Sequence, residues 1–588
     1  MNKLLLILIS ILLMTGCASK KGNTDVCQTY EEANNPETVK SDWNTVEKGL
    51  QVSVGSIDRK YERDEIPEVN NSKDWTGAAW KGERVSMQFV IWTKDSVPNV
   101  TVEFADFKSP NGDKIAAQNA YARFVRYVIT DEFAGGCGHR KPEDFASSLS
   151  ADALDNISCF SVSPNSTRPI WVTIDVPADA ATGIYSSNLQ VFADGKKKET
   201  IALQLEVLPQ TLPPAADWEF HLDLWQNPYA TARIAGVEPW SDAHWAALKP
   251  VMEILANAGQ KVITATLNKD PWNGQTEDPY GSMIEWTKKT DGSWNYDYTV
   301  FDNWVQFMMD LGIKDQINCY SMVPWGNFVY YLDEKTGQEV KVGAAPGTKV
   351  YADMWKPFLN DFMKHLEEKG WKDITRIAMD ERAPQEMKAM LKLLEETSPG
   401  MGVALADNHK SYKLYPDQLK DLCVARGAVV DEVDRLYRKE KGYVTTWYVC
   451  CGDEFPNTFT FSDPAEAAFI GWYTSAAGFD GFLRWAYDSW VKDPLVDTRF
   501  RTWPAGDTYI VYPAGRSSIR FERLREGIQD AEKIRLLREQ FMLGSSEAAR
   551  QKLMKLNQMV DQFNFVERTD NYNDLLNQGK DLLNELSR

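Results

Sequence analysis

The stretch ITRIAMDERAPQEMKAMLKLLEETSPGMGVALAD, residues 374–407, decides the fold. A short apolar strand (374–380), a helix-like segment (384–397) and a second apolar strand (402–407) follow one another, which is the unit of a parallel sheet covered by helices. Reading outward, six further strand candidates fall at 218–225, 261–267, 316–322, 422–425, 443–450 and 481–488. Helix-like segments at 241–258, 301–311, 352–369, 430–440 and 464–477 separate them, the last opening on Ser462-Asp463-Pro464 with proline at an early helical position. Eight strands with intervening helices read as a (β/α)8 TIM-like barrel over 215–540. The fifth connection, 408–421, is too short for a regular helix. The run RFERLREGIQDAEKIRLLREQF (520–541) and residues 541–588 read as amphipathic C-terminal helices that close or flank the barrel.

Upstream, the period changes from helical to alternating. VSMQFVIWT (85–93), NVTVEF (99–104), RPIWVTIDVP (168–177), GIYSSNLQVFA (183–193) and TIALQLEVLP (200–209) are short β-branched runs parted by turn residues. They read as an N-terminal antiparallel β-sandwich over 41–210. Pro209, Pro213 and Pro214 then mark a boundary.

At the N-terminus, Lys3 precedes an apolar run from Leu4 to Met14 that only Ser10 interrupts, too short for a spanning helix and laid out like a signal peptide. Met14-Thr15-Gly16-Cys17 resembles a bacterial lipobox, which makes residues 1–17 a lipoprotein signal ending on a lipidated Cys17. Residues 18–40 are polar and aperiodic and read as a free tether. The expected location is the outer membrane, anchored by lipid; Ser19-Lys20-Lys21 carries no acidic run, which favours a periplasmic-facing over a cell-surface orientation.

The 588 residues carry 65 basic and 84 acidic side chains, a formal net charge of −19. That balance excludes nucleic acid as the principal partner. After Cys17, seven cysteines are scattered without a C-x-x-C pair, and there are only five histidines. No zinc-ligand spacing results, and no cofactor is expected. Adjacent Cys450 and Cys451 would form a strained ring if bridged to each other, so both read as small buried residues. The 21 tryptophans are more than a core of this size needs, and flat amphipathic ligand surfaces are one use for them.

In an α/β barrel the chemistry sits at the C-terminal ends of the strands. Asp-Glu occurs six times, at 64, 131, 333, 380, 431 and 453, so position discriminates. Asp380-Glu381 closes the fourth strand. Asp453-Glu454, just beyond the seventh, is the rival pair, while Asp333-Glu334 falls in a polar loop. Other strand ends offer Trp225, Trp325 with Asn327, Trp447 with Tyr448, and Trp485 with Tyr487 and Trp490. Converging tryptophans suit a sugar, whose C–H faces are apolar and whose hydroxyls need partners. Along the first strand His221 and Asp223 alternate with leucines and point into the barrel, as substrate contacts or as a buried pair satisfying each other.

The strand-four MDE, the strand-seven TTWYVCCG (445–452), GFLRWAYDSW (481–490) and RFERLREGIQDAE (520–532) together resemble glycoside hydrolase family 123, the retaining β-N-acetylgalactosaminidases. The resemblance spans about residues 40–540. It implies exo-cleavage of terminal β-linked N-acetylgalactosamine from a glycan or glycolipid, with the substrate's acetamido group as nucleophile. It further implies that Asp380 orients that group and that Glu381 is the general acid/base, with Tyr448 and Trp485 as contacts. Adjacent carboxylates suffice for such chemistry only where a strand ends and the chain turns, since neighbours in a straight strand face opposite ways. Two other readings stand beside it. One is a barrel glycosidase pairing Glu381 with Glu454 or Asp223 on a sugar without an acetamido group; the other is a non-catalytic glycan-binding lipoprotein.

Overall fold

A computed structural model describes residues 27, 30, 32–37, 41–133, 141–501 and 503–588 of the chain. Cys17 and most of the expected tether lie outside the described residues.

Eight parallel strands form the C-terminal sheet: β1 (His221–Leu224), β2 (Val262–Thr266), β3 (Gln316–Tyr320), β4 (Thr375–Asp380), β5 (Gly402–Asp407), β6 (Leu419–Ala425), β7 (Val444–Tyr448) and β8 (Gly481–Arg484). Each pairs with the next in sequence from β2 to β8, and β8 returns to β1. Between β1 and β2 the ladder reduces to one parallel bridge, Leu222 to Gln260. Side-chain amides take over there: Leu224 N donates to Gln260 Oε1 at 3.0 Å and Thr264 N to Gln226 Oε1 at 2.8 Å. Backbone groups that would otherwise be orphaned in the core are thereby satisfied.

Helices Asp242–Ala256, Thr299–Asp310, Lys349–Lys369, Pro384–Thr397, Glu432–Glu440 and Pro464–Ala477 follow the sequence pattern closely. The fifth connection holds only a single 3-10 turn, Ser411–Lys413. Pro464–Ala477 and the long Ile519–Leu543 approach so closely that a Cβ on Gly471 would lie 2.0 Å from the Gly527 carbonyl oxygen, which is why both positions are glycine. Four strands were not legible as such. Glu285–Lys288, Trp294–Asp297, Phe328–Asp333 and Gln338–Gly343 form a small sheet inserted after β2 and β3, and Asp333-Glu334 sits at its hairpin turn rather than in a free loop.

The N-terminal half is a sandwich of a five-stranded and a seven-stranded sheet around Phe89, Ile91, Ile170, Val172, Leu189, Leu203 and Leu205. Its pairing departs from the expected antiparallel pattern at one place: Asp74–Lys81 runs parallel to Lys196–Thr211.

The free tether expected over 18–40 is corrected for its C-terminal part. Cys27 is disulfide-bonded to Cys159. Glu32 forms an ion pair with Arg168, whose side chain is 3% exposed, and the Arg126 guanidinium lies 3.8 Å over the Tyr30 ring. Arg63 Nη1 reaches the Ala33 carbonyl at 2.7 Å. A buried arginine needs a paired carboxylate, and this polar segment supplies it. Cys451 is likewise disulfide-bonded, so it is not the plain buried residue that its adjacency to Cys450 suggested.

Candidate active site

β4 delivers the two carboxylates. Asp380 is the strand's last residue, and Glu381 turns out of it in the left-handed region at φ +46° while its N–H still donates to the Ala406 carbonyl on β5 at 3.0 Å. The turn breaks the strand's alternation, so both side chains face the same rim. Asp380 Oδ2 accepts the Trp325 indole N–H at 3.2 Å, and the Trp272 indole hydrogen-bonds the same carboxylate. Glu381 Oε1 accepts the Tyr448 hydroxyl from the end of β7. Arg382 folds back over the pair. Its Nε donates to the Asp380 carbonyl at 2.7 Å and its guanidinium stacks 3.8 Å over Trp325.

Burial, followed by the charge of Glu381, pushes the Asp380 carboxyl up to about 6, against the pull of the indole donors and Arg382. Burial and the Glu381 carboxylate raise the Tyr448 phenol above its ordinary value, so it stays a donor.

Aromatic rings wall the rim. Trp225 lies 5.2 Å from Trp272 and 4.7 Å from Tyr320, and Trp272 lies 4.6 Å from Tyr280. They pack with Tyr448, Trp325, Trp485 and the small side chains Ala378, Ala404, Ala406 and Cys423 in one cluster. Small residues on the strands beneath leave the large rings to shape the opening. Trp485 donates its indole N–H to Asp507 at 3.0 Å.

Of the residues singled out from the sequence, Asp380, Glu381, Trp225, Trp325, Tyr448 and Trp485 come together here. Asn327 stands beside them but donates to Glu386 at 2.8 Å, bracing the helix after β4. Three do not join. Trp447 points outward, fully buried against Tyr473 and Phe482, with its N–H on Thr474. Strand alternation puts Trp447 and its neighbour Tyr448 on opposite faces, and the inward place belongs to Tyr448.

His221 and Asp223 lie inside the barrel below the rim. They are not a pair satisfying each other: His221 faces Asp421 at 3.8 Å, and Asp223 accepts from Asn318 at 3.3 Å. Burial lowers the His221 imidazole and raises Asp223 well above the carboxylate range. In the rival Asp453-Glu454 pair the aspartate is tied down. Asp453 pairs with Arg426 at 2.8 Å and accepts the Cys450 N–H.

Sequence reasoning missed Trp272, Tyr280, Tyr320, Arg382 and Asp507. Trp272 sits in an Asp-Pro-Trp-Asn-Gly turn directly after the second strand, a position the strand-end search could have included. Among the described residues, no group of three or more His, Cys, Asp and Glu side chains is placed to hold a metal ion.

A rim of indoles and a phenol around two acids, on an α/β barrel joined to a sandwich, defines a glycoside hydrolase. The chain belongs to glycoside hydrolase family 123: residues 225–537 match the model of the family 123 catalytic domain and residues 54–193 that of its N-terminal domain. Among solved structures it is similar to a family 123 glycoside hydrolase from Clostridium perfringens, described in terms of glycolipid glycan hydrolysis, with 30% identity and a TM-score of 0.81 over 91% of this chain and 97% of that one. A family 39 glycoside hydrolase from Bacteroides cellulosilyticus is far more distant, at 9% identity and a TM-score of 0.32 over 69% of this chain and 77% of that one. No curated protein sequence matches.

Proposed function

We propose that the protein is a retaining exo-β-N-acetylgalactosaminidase that removes terminal β-linked N-acetylgalactosamine from a glycan or glycolipid by substrate assistance. The observation that carries this is the convergence of two sequence neighbours on one pocket, Asp380 on the indoles of Trp325 and Trp272 and Glu381 on Tyr448. A conventional retaining pair stands on separate elements on either side of the scissile bond.

In the proposed first step the acetamido carbonyl oxygen attacks C1 and the C1–O bond to the aglycone breaks, while Glu381 gives its proton to the departing oxygen. Asp380, ionised at neutral pH with its carboxyl near 6, accepts the acetamido N–H and stabilises the positive charge that spreads onto nitrogen. In the second step Glu381 takes a proton from water, which attacks C1 and reopens the ring, so two inversions give net retention. The aromatic rim supplies apolar surface for the sugar's C–H face. Asp223 is buried inside the barrel, which disfavours a protein nucleophile from that place.

NMR of the first anomer released from an aryl N-acetyl-β-galactosaminide tests this. The β anomer is expected; release of the α anomer would overturn the mechanism. Membrane attachment through a lipidated Cys17 is part of the same proposal. Labelling with radioactive fatty acid should be abolished by Cys17→Ala, and persistence of the label would refute it.

A further inference from the structure

The loop after β8 carries a buried ion pair that the chemistry above does not use. Asp507 and Arg484 are both fully buried and meet at 3.1 Å. The other oxygen of Asp507 holds the Trp485 indole N–H at 3.0 Å. One carboxylate therefore clasps two consecutive residues, Arg484 at the end of β8 and Trp485 at the rim.

The next contact leads out of the barrel. The Gly506 carbonyl accepts Arg484 Nη2 at 3.2 Å and Arg520 Nη1 at 3.2 Å. Gly506 has φ +79°, and a Cβ there would lie 2.7 Å from Thr460 Cγ2 and 2.8 Å from its backbone nitrogen, so the two guanidiniums close on a position that admits only glycine. Arg520 in turn grips Asp152 of the sandwich, its Nε 3.0 and 2.9 Å from the two carboxylate oxygens, and Tyr512 donates to Asp152 at 2.7 Å.

Two more sandwich groups hold the same loop. Asp131 accepts the Ala505 N–H at 3.0 Å, and Ile129 bridges to Asp497 with Thr498 N donating to its carbonyl at 2.9 Å.

We propose that Asp507 and Asp152 are positioning residues that fix the Trp485 ring for the sugar, so that the sandwich completes the substrate site of the barrel. This rests on the reading of Trp485 as a sugar contact. Trp485 is only partly buried and meets Trp503 at 5.7 Å in an edge-on contact, which leaves its tilt to be set by the acceptor of its N–H. A binding ring loses its value once it departs from productive orientation by more than about 10–20°. Burying a carboxylate and a guanidinium is costly unless they are paired, and here two such pairs, Arg484 with Asp507 and Arg520 with Asp152 of the sandwich, converge on the Gly506 carbonyl.

Kinetics on the aryl glycoside that the unaltered protein cleaves provide the test, using Trp485→Phe, Asp507→Asn, their double variant and Asp152→Asn. Phe lacks the N–H. Trp485→Phe and Asp507→Asn should each raise KM by about tenfold with kcat changed far less, the value of one hydrogen bond to a charged group. The double variant should be no worse than either single one, because both remove the same contact.

Additive losses, or a fall in kcat that tracks the folded fraction in thermal melts, would make Asp507 merely structural. An unchanged KM in Trp485→Phe would refute the sugar contact itself. A raised KM in Trp485→Phe with none in Asp507→Asn would refute the relay alone. Should Asp507→Asn fail to fold, Asp152→Asn decides. Its effect on KM must vanish in the Trp485→Phe background, and its persistence there overturns the proposal.

Discussion

Asp380 and Glu381 are neighbours in sequence but answer to different sides of the rim, Asp380 to the indole of Trp325 and Glu381 to the hydroxyl of Tyr448. The left-handed backbone of Glu381, φ +46°, makes this possible. That conformation costs a residue with a Cβ about 1–2 kcal/mol, and the surrounding hydrogen bonds must hold it in place. Strain of this kind, at the one turn where two acids must face together, accords with a catalytic use of the pair.

Glu381→Gln should lower turnover of an unactivated glycoside by about 10²–10⁴-fold, the usual worth of a positioned acid. Gln keeps the length and can still meet Tyr448, so the melting temperature should hold. Aryl substrates with good leaving groups need less protonation and should suffer less in the glycosylation step. Equal losses on both substrate types would contradict the acid role.

The pH profile should have an acid limb set by Asp380. Its carboxyl stands near 6, raised first by burial and then by Glu381. The ionised form does the work, so activity should decline as pH falls through this value. Trp325→Phe removes a donor that favours the carboxylate, so the limb should move to higher pH. In Asp380→Asn the limb should vanish from whatever activity is left. A limb unmoved by Trp325→Phe would assign it to another group.

Much of this was legible in the sequence because apolar strands covered by helices on an α/β barrel leave a strong period, and the ends of those strands confine the search to a few positions. Asp380, Glu381, Tyr448 and Trp485 stood out by their place at strand ends, and the resemblance to family 123 supplied the roles expected of them. Trp447 was misplaced because a strand end names two neighbours and only the register says which points in. Trp272 and Asp507 escaped because they belong to loops, where no period exists and where long-range contacts decide position. The docking of Cys27, Tyr30 and Glu32 was invisible for the same reason: a polar, aperiodic segment reads as a tether until Arg168, buried in the sandwich, is seen to need Glu32.

That segment makes a stability prediction opposite to the one its composition suggests. A chain beginning at Ser41 loses the Cys27–Cys159 disulfide, which spans 132 residues, and leaves Arg168 without Glu32. Cross-links over loops of about 100 residues stabilise by up to about 4–5 kcal/mol in the chain-entropy account, and stranding a buried charge adds to the loss. The shortened protein should melt lower by about 5–10 °C. Its folded fraction should retain the kcat of the full chain, because the segment packs on the sandwich. Identical melting curves would show that the docking contributes nothing.

Substrate assistance is tested most directly by removing the acetamido group from the substrate. If its carbonyl oxygen is the nucleophile, its advantage is that of an internal reaction, with effective molarities of about 10⁵–10⁸ M, and no side chain at this rim replaces it in the proposed mechanism. A plain aryl β-galactoside should therefore be almost inert, while the N-acetyl-β-galactosaminide turns over. A thiazoline that mimics the cyclic intermediate should bind far more tightly than substrate, because it presents the ring geometry and the N–H that Asp380 is placed to accept. Asp380→Asn should weaken the thiazoline and slow turnover together, since a neutral amide cannot balance charge on that nitrogen. Comparable turnover of the plain galactoside, or a covalent sugar adduct trapped on a carboxylate of the protein, would sink substrate assistance and restore a two-carboxylate mechanism.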